Sequence, residues 1–259
     1  MNPNHPFNFR HYAEILLAGK KAGYEYSLFR EGNPARGKRI FLRHDIDNDI
    51  TLAHRMARIE REMGVRATYL VMLRSANYNP AEARNLRMLY QIAEMGHDVG
   101  LHFSLVDHPE SRPAENLAGL IQGDAELLGS LLGRPVPVFG FHNPTDGGQY
   151  KIEVPALVNT YAAEFFDDAY YISESNMRWR KGCPCETLLT CTHSRVQLLV
   201  HPLSFAEELS TDRDVLMHFL HLKLVDLLEY NVSQNGTLRQ EKIGAADFLD
   251  YLQRKQGAK

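Results

Sequence analysis

Cysteine is scarce in this chain of 259 residues: Cys183, Cys185 and Cys191 are the whole complement, and all fall in the segment "GCPCETLLTC". An odd count argues against a disulfide framework, and C-x-C spacing matches neither the C-x-x-C of redox sites nor a zinc knuckle. Three structural thiols are the expectation. Tryptophan occurs once, as Trp179. No apolar run approaches the roughly 20 residues that a membrane helix needs. The opening "MNPNHPFNFR" lacks the basic and apolar regions of a signal peptide, so a cytoplasmic protein without a membrane span is expected. The formal net charge of −3 gives no electrostatic footprint for nucleic acid or an anionic membrane. Internal repeats and low-complexity segments are missing too.

What the chain does have is ordinary globular composition, 44% hydrophobic and 24% charged, and enough length for one large α/β domain. Short apolar runs alternate with helical patterns from residue 39 to 201: "RIFLRHDID", "RATYLVML", "HDVGLHF", "VPVFGFHNP", "AEFFDDAYYIS" and "VQLLVHP". Such alternation is the signature of βα units around a parallel sheet. The expected fold is α/β, an irregular (β/α) barrel of about seven parallel strands in a single domain. Residues 1–38 read as an N-terminal helical cap, and 39–259 as the barrel with C-terminal helices at about 205–229 and 244–256 joined by the turn-rich "NVSQNGT". Leu52, Met56, Ile59 and Met63 recur at helical spacing before Gly64, as do Leu86, Leu89 and Ala93 before Gly96. A third helix is expected in "PAENLAGLIQGDAELLGSLLG", with Pro113 near its start and Gly133 at its end.

The stretch "RIFLRHDIDNDI" places Asp45 and Asp47 at the end of the first such run. Alternate side chains of a strand share a face, so Phe41, Arg43, Asp45 and Asp47 point one way, and Leu42, His44 and Ile46 the other. Carboxylates held that close repel unless a cation lies between them or one takes a proton. A competing reading is that the acidic cluster caps the following helix. Other runs end in His102, His142 and His201, so polar residues gather at the carboxyl ends of proposed parallel strands, the rim where barrel active sites are built. Nitrogen and carboxylate ligands converging there suit Zn²⁺ or a similar divalent ion. With a free carboxylate and a separate histidine they form a minimal kit for hydrolysis.

The motifs "HDID", "GHDVGLHFSLVDHP", "FGFHNP" and "LLVHP", in that order, resemble the polysaccharide deacetylases, the NodB-homology group of carbohydrate esterase family 4. The likeness is to an "HDID" branch that includes WbmS-like lipopolysaccharide-biosynthesis proteins, and "RATYLVMLRSANYNP" looks like that branch's segment after the second strand. It spans about residues 39 to 203. The resemblance implies a metal-dependent hydrolase that removes an acetyl group from an N-acetylated sugar of a surface polysaccharide or its precursor. It also implies one divalent ion, Zn²⁺ by analogy, and a carbohydrate substrate.

Residue by residue, the resemblance makes Asp45 the catalytic base, Asp47 and His102 metal ligands, and His201 the general acid. The family's second motif histidine would be His108, although the spacing from His102 is two residues longer than the family's H-x-x-x-H. His142 stands where many relatives carry an arginine that pairs with the base. The expected sets are therefore Asp47, His102 and His108 for the metal, and Asp45, His201 and His142 for catalysis, with His142 as the alternative third ligand. In "HNP", Pro144 is expected to hold Asn143 extended. His97 is read as structural, Asp167 or Asp168 as a partner that orients His201, and Trp179 as a wall for a sugar ring. The altered spacing and missing arginine leave two other functions open: a non-catalytic glycan-binding or assembly protein, and an amidase acting on a small non-sugar amide. Oligomeric state is not legible.

Overall fold

The computed structural model describes residues 6–34, 36–108, 116–144, 150–167, 170–206, 211–241 and 243–256. The chain divides into two compact units, residues 1–208 and 209–259. The first contains the sheet. Its strands are β1 (Tyr24–Tyr26), β2 (Lys38–Ile46), β3 (Thr68–Val71), β4 (Asp98–Phe103), β5 (Val138–Phe141), β6 (Val158–Asn159), β7 (Tyr171–Ser175), β8 (Arg178–Trp179) and β9 (Arg195–Val200). Its helices are α1 (Phe9–Lys21), α2 (Ile50–Glu62), α3 (Ala83–Glu94), α4 (Leu117–Leu132) and α5 (Pro184–Thr190).

Across the sheet the order is β6-β5-β4-β3-β2-β9-β7-β8, with β1 lying beside the first residues of β2. Seven neighbours from β6 to β7 run parallel, and among the named strands of the described residues the short β8 alone pairs antiparallel. From β2 to β6 each strand adds on the same side, while the late strand β9 returns to the other edge of β2. That winding is a barrel's, so the expected α/β barrel-like class is the one observed. Among the described residues no ladder joins β6 to β8, which leaves the sheet open there.

Strand β2 runs through the middle and its two faces differ. Phe41 packs with Phe29, Leu70, Val138 and Phe165 in a fully apolar cluster on the inner face. Above Phe41 on that face come Arg43 and Asp45, and then Asp47 just past the strand end. The face thus changes from apolar to ionic toward the carboxyl rim. On the outer face, His44 meets Glu60 of α2 at 2.6 Å, and the hydroxyls of Tyr12 and Tyr69 donate to the same carboxylate. Burial alone would raise the Glu60 carboxyl; the imidazoles of His44 and His97 and the Tyr12 hydroxyl outweigh it and hold the group below its usual range. A buried acid in this position shifts the α2 core stripe to Ile50, Ala53, Met56, Ala57 and Glu60, rather than the Leu52, Met56, Ile59, Met63 stripe read from hydrophobicity.

Both helix stops expected at glycine are present, with Gly64 at φ 61° and Gly96 at φ 94°. Gly133 ends α4 in the same left-handed way, while Pro113 lies outside the described residues. Among the described residues of "AEFFDDAYYIS", only the end is strand, as β7. In the second unit the long helix α6 (Asp212–Gln234) starts at Thr211, whose hydroxyl accepts from the amide of Asp214 at 3.1 Å. It runs through most of "NVSQNGT" before Asn235 caps the short α7 (Gly236–Gln240), and α8 (Ala245–Gln256) follows. The turn is shorter than composition suggested because the side chain of Asn235 caps α7, accepting from the amides of Thr237 and Leu238.

Candidate active site

The inner face of β2 delivers Asp45 and Asp47 to the rim, as the strand alternation requires. The acidic cluster also caps α2, but through a different residue: Asp49 accepts from the amides of Thr51 and Leu52 at 2.6 and 3.2 Å. Capping and site formation are therefore divided along "DIDND". The segment after β3 braces this turn. The Tyr78 hydroxyl donates to the carbonyl of Ile46 at 2.6 Å and accepts from the amide of Met72 at 2.8 Å, while Asn77 donates to the carbonyl of Asp47 at 3.1 Å.

Strands β4 and β5 supply the histidines by a shared pattern, "GLH" and "GFH". A Cβ on Gly100 would lie 2.7 Å from Leu70 and Val138, and one on Gly140 would lie 2.6 Å from Leu70 and Thr160 and 3.0 Å from the Arg43 guanidinium carbon. Each glycine makes room for the barrel contents below, and two residues on, the same face presents His102 or His142. The His142 amide donates to the carbonyl of Phe103 at 2.8 Å, which extends the β4–β5 ladder and seats the two imidazoles side by side.

Three atoms converge. His102 Nε2 lies 3.1 Å from Asp47 Oδ1, His142 Nδ1 lies 3.3 Å from the same oxygen, and the two nitrogens are 3.2 Å apart. Ligands about 2.0–2.1 Å from a tetrahedral ion are separated by roughly 3.3–3.4 Å, so the triangle has the size of one ligand face. Asp47 Oδ1 is buried and makes no well-directed hydrogen bond, and a buried carboxylate oxygen of that kind suits a cation. Burial would raise the Asp47 carboxyl, but the imidazoles of His102, His142 and His201 hold it well below the usual carboxylate range. The His142 imidazole is raised in turn, first by its contact with Asp47, against the opposing effect of burial.

Asp45 sits beside this triangle, with Oδ2 3.5 Å from His102 Nε2. Arg43 holds it from two positions back on the same face, donating from Nε to Oδ1 at 2.6 Å and from Nη2 to Oδ2 at 2.7 Å. Arg43 is itself fully buried, bonded to Thr160 Oγ1 and the Phe141 carbonyl, with its guanidinium over the Tyr161 ring. Burial alone would raise the Asp45 carboxyl; the charge of Arg43 more than reverses that. The partner of Asp45, expected at position 142, is therefore Arg43.

His201 follows β9, with Nε2 3.8 Å from Asp47 Oδ2 and Nδ1 3.1 Å from Glu174 Oε2. Glu174, fully buried in β7, also accepts from the His201 amide, from Ser204 Oγ at 2.7 Å and from the Met177 amide at 2.7 Å. It fills the orienting role expected of Asp167 or Asp168. Asp167 is exposed and Asp168 lies outside the described residues. Nothing in "YISES" itself marks Glu174, whose partner His201 lies 27 residues on.

The expected metal trio with His108 is not assembled. His108 stacks on Phe103 with ring centroids 5.2 Å apart, and its Nε2 is 3.0 Å from Asp124 Oδ2 and 3.2 Å from Arg74. Phe103 and His102 are successive residues of β4 and point to opposite faces, so a ring on Phe103 is carried away from His102. The 3-10 turn Leu105–Asp107 absorbs the two added residues and seats His108 there. Asn143 departs from expectation too: its φ is 50°, the left-handed region that asparagine tolerates, despite Pro144. His97 is structural, accepting from the Ala67 amide and meeting the Ala57 carbonyl. Trp179 stacks on Phe7 and neighbours Phe205 rather than forming a free wall.

No family model matches the sequence, and no curated protein matches it. Solved structures with some likeness include a Streptococcus pyogenes deacetylase in complex with acetate, 15% identical, covering 80% of this chain and 84% of that one at a TM-score of 0.40. The CE4 domain of a multidomain xylanase from the hindgut metagenome of Trinervitermes trinervoides is 15% identical over 80% of this chain and 92% of its own, TM-score 0.42. A mutant of a CE4 family pseudoenzyme with restored activity is 14% identical, TM-score 0.41, and the chain spans 64% of its length. At these values, function rests on the residues of the chain itself.

Proposed function

We propose that the protein is a metal-dependent hydrolase that removes an acetyl group from an N-acetylated sugar, with Asp47, His102 and His142 holding one divalent ion. The observation that carries this reading is the convergence of Asp47 Oδ1, His102 Nε2 and His142 Nδ1 within 3.1–3.3 Å of one another beside a carboxylate and a further histidine. A divalent ion in that position supplies Lewis acidity toward a carbonyl oxygen and toward water. Asp45, fixed by Arg43, accepts the proton of the attacking water. His201, with Nδ1 turned to Glu174, presents Nε2 to the site and protonates the departing amine as the C–N bond breaks. The products are acetate and the free amino sugar. The substrate class comes from the motif resemblance, since the site chemistry alone serves a small non-sugar amide equally.

One observation favours the non-catalytic reading, glycan binding by an inactive barrel: both Asp45 oxygens already accept hydrogen bonds from Arg43. Asp45→Asn separates the two. The amide preserves the side-chain shape, and in the folded, Zn²⁺-loaded variant of an enzyme it lowers acetate release from N-acetylglucosamine oligomers or nucleotide-linked N-acetyl sugars by about 10²–10⁴-fold. No acetate release by the Zn²⁺-loaded protein from any N-acetyl sugar tested would overturn the proposal.

A further inference from the structure

The three cysteines do not share one environment. Cys183 precedes α5 and Cys185 lies in its first turn, with their sulfurs 2.9 Å apart. Helix α1 packs against α5 and brings in His11, 172 residues away in sequence, with Nε2 3.1 Å from Cys183 Sγ. His11 and Cys183 are both buried, at 3% and 5% exposure, while Cys185 is half-buried. The group of side chains close enough to share one ion holds His11, Cys183 and Cys185 and leaves Cys191 out.

A second feature points to a ligand. His11 Nδ1 donates to Glu14 Oε2 at 2.9 Å, which places the ring proton on Nδ1 and turns the Nε2 lone pair toward the sulfurs. A carboxylate behind the imidazole is the usual support of a metal-bound histidine, setting its tautomer and raising its basicity. Two sulfurs and an imidazole are a borderline-soft set that suits Zn²⁺ over Mg²⁺ or Ca²⁺.

We propose that His11, Cys183 and Cys185 form a second, thiolate-bearing Zn²⁺ site that ties α1 to α5, with water in the fourth position on the half-exposed side of Cys185. Zn–S bonds of about 2.3 Å place the two sulfurs roughly 3.8 Å apart, so the ion parts them by under an ångström. Two thiol protons leave as the cation enters, and nothing is oxidised or reduced. The site has a structural consequence near the first one. Phe7, just before α1, and Tyr12, near its start, pack on Phe205 with centroids 5.3 and 5.4 Å apart, and Phe205 closes the turn that follows His201. Fixing α1 through His11 therefore fixes the aromatic group under the His201 turn.

Co²⁺ titration of the reduced, chelator-treated full chain distinguishes the two sites, since only thiolate gives an intense near-ultraviolet charge-transfer band. The expected result is two ions per chain with that band. Cys185→Ser and His11→Gln each lose or strongly weaken the band and keep one ion, Cys191→Ser keeps both, and Asp47→Ala keeps the band while losing the other ion. Independently of any variant, Zn²⁺ should protect Cys183 and Cys185, but not Cys191, from alkylation. Absence of the band in the reduced wild type, its survival in both Cys185→Ser and His11→Gln, or equal alkylation of all three thiols with and without Zn²⁺ would overturn the proposal. Loss of deacetylase activity with the band intact speaks only to the first site.

Discussion

Arg43 grips Asp45 through two hydrogen bonds of 2.6 and 2.7 Å, from two residues back on the same strand face, and both are buried. A buried ion pair is costly to break because the partner left behind is an uncompensated charge. Arg43→Met should therefore destabilise the fold by about 3–5 kcal/mol, while Arg43→Met combined with Asp45→Leu recovers much of that loss. Denaturant unfolding of the four members of the cycle measures the coupling. Additive effects would mean that the pair does not act as a unit.

The room for Arg43 depends on Gly140. An added methyl group there meets Leu70, Thr160 and the guanidinium at 2.6–3.0 Å, so one of them must shift. Gly140→Ala should cost about 1–3 kcal/mol, as overpacking generally does, and should reduce acetate release beyond what its stability loss explains. Gly123→Ala, with open space around its Cβ, is the control and should leave activity unchanged.

The choice of third ligand gives a direct test at the rim. Asp47→Ala, His102→Ala and His142→Ala should each remove stoichiometric Zn²⁺ from the site, measured in a Cys185→Ser background that silences the thiolate site. His108→Ala should leave that ion in place and cost about 1–3 kcal/mol of stability, because the nearly buried Asp124 loses its imidazole partner and keeps Arg74. Retention of the ion in His142→Ala together with its loss in His108→Ala would restore the assignment that the resemblance implies.

Strand alternation was enough to read β2, its inner face and the acidic pair, because a period of two is fixed by backbone geometry alone. The histidines ending β4, β5 and β9 were legible for the same reason. His108 was not, since a turn of a few residues decides which face it reaches, and sequence spacing carries no record of that decision. Alternation places Arg43 on the face of Asp45, but the resemblance puts the partner of that carboxylate at position 142. Glu174 and His11 were hidden for a different reason: each works with a partner 27 or 172 residues away, and only tertiary packing brings them together.

Glu174 controls the charge of His201, and this gives a pH signature. Burial alone would lower the His201 imidazole; the hydrogen bond and charge of Glu174, with Asp47 and Asp45 beyond, reverse that and raise it to about 9. A folded-state value above the ordinary one, about 6.5, means that the protonated imidazole stabilises the fold. That contribution is fully present below pH ~6.5 and disappears as pH rises through about 9. In chelator-treated protein, Glu174→Gln should lower the His201 midpoint by at least about one unit, equivalent to roughly 1.4 kcal/mol. The stability gap between wild type and variant should then be widest near pH 6.5 and narrow toward pH 10. Imidazole titration followed by NMR, alongside unfolding at a series of pH values, reads both quantities. An unchanged midpoint in Glu174→Gln would assign the raised imidazole to the rim carboxylates alone and leave Glu174 as a brace for the Met177 and Ser204 turns.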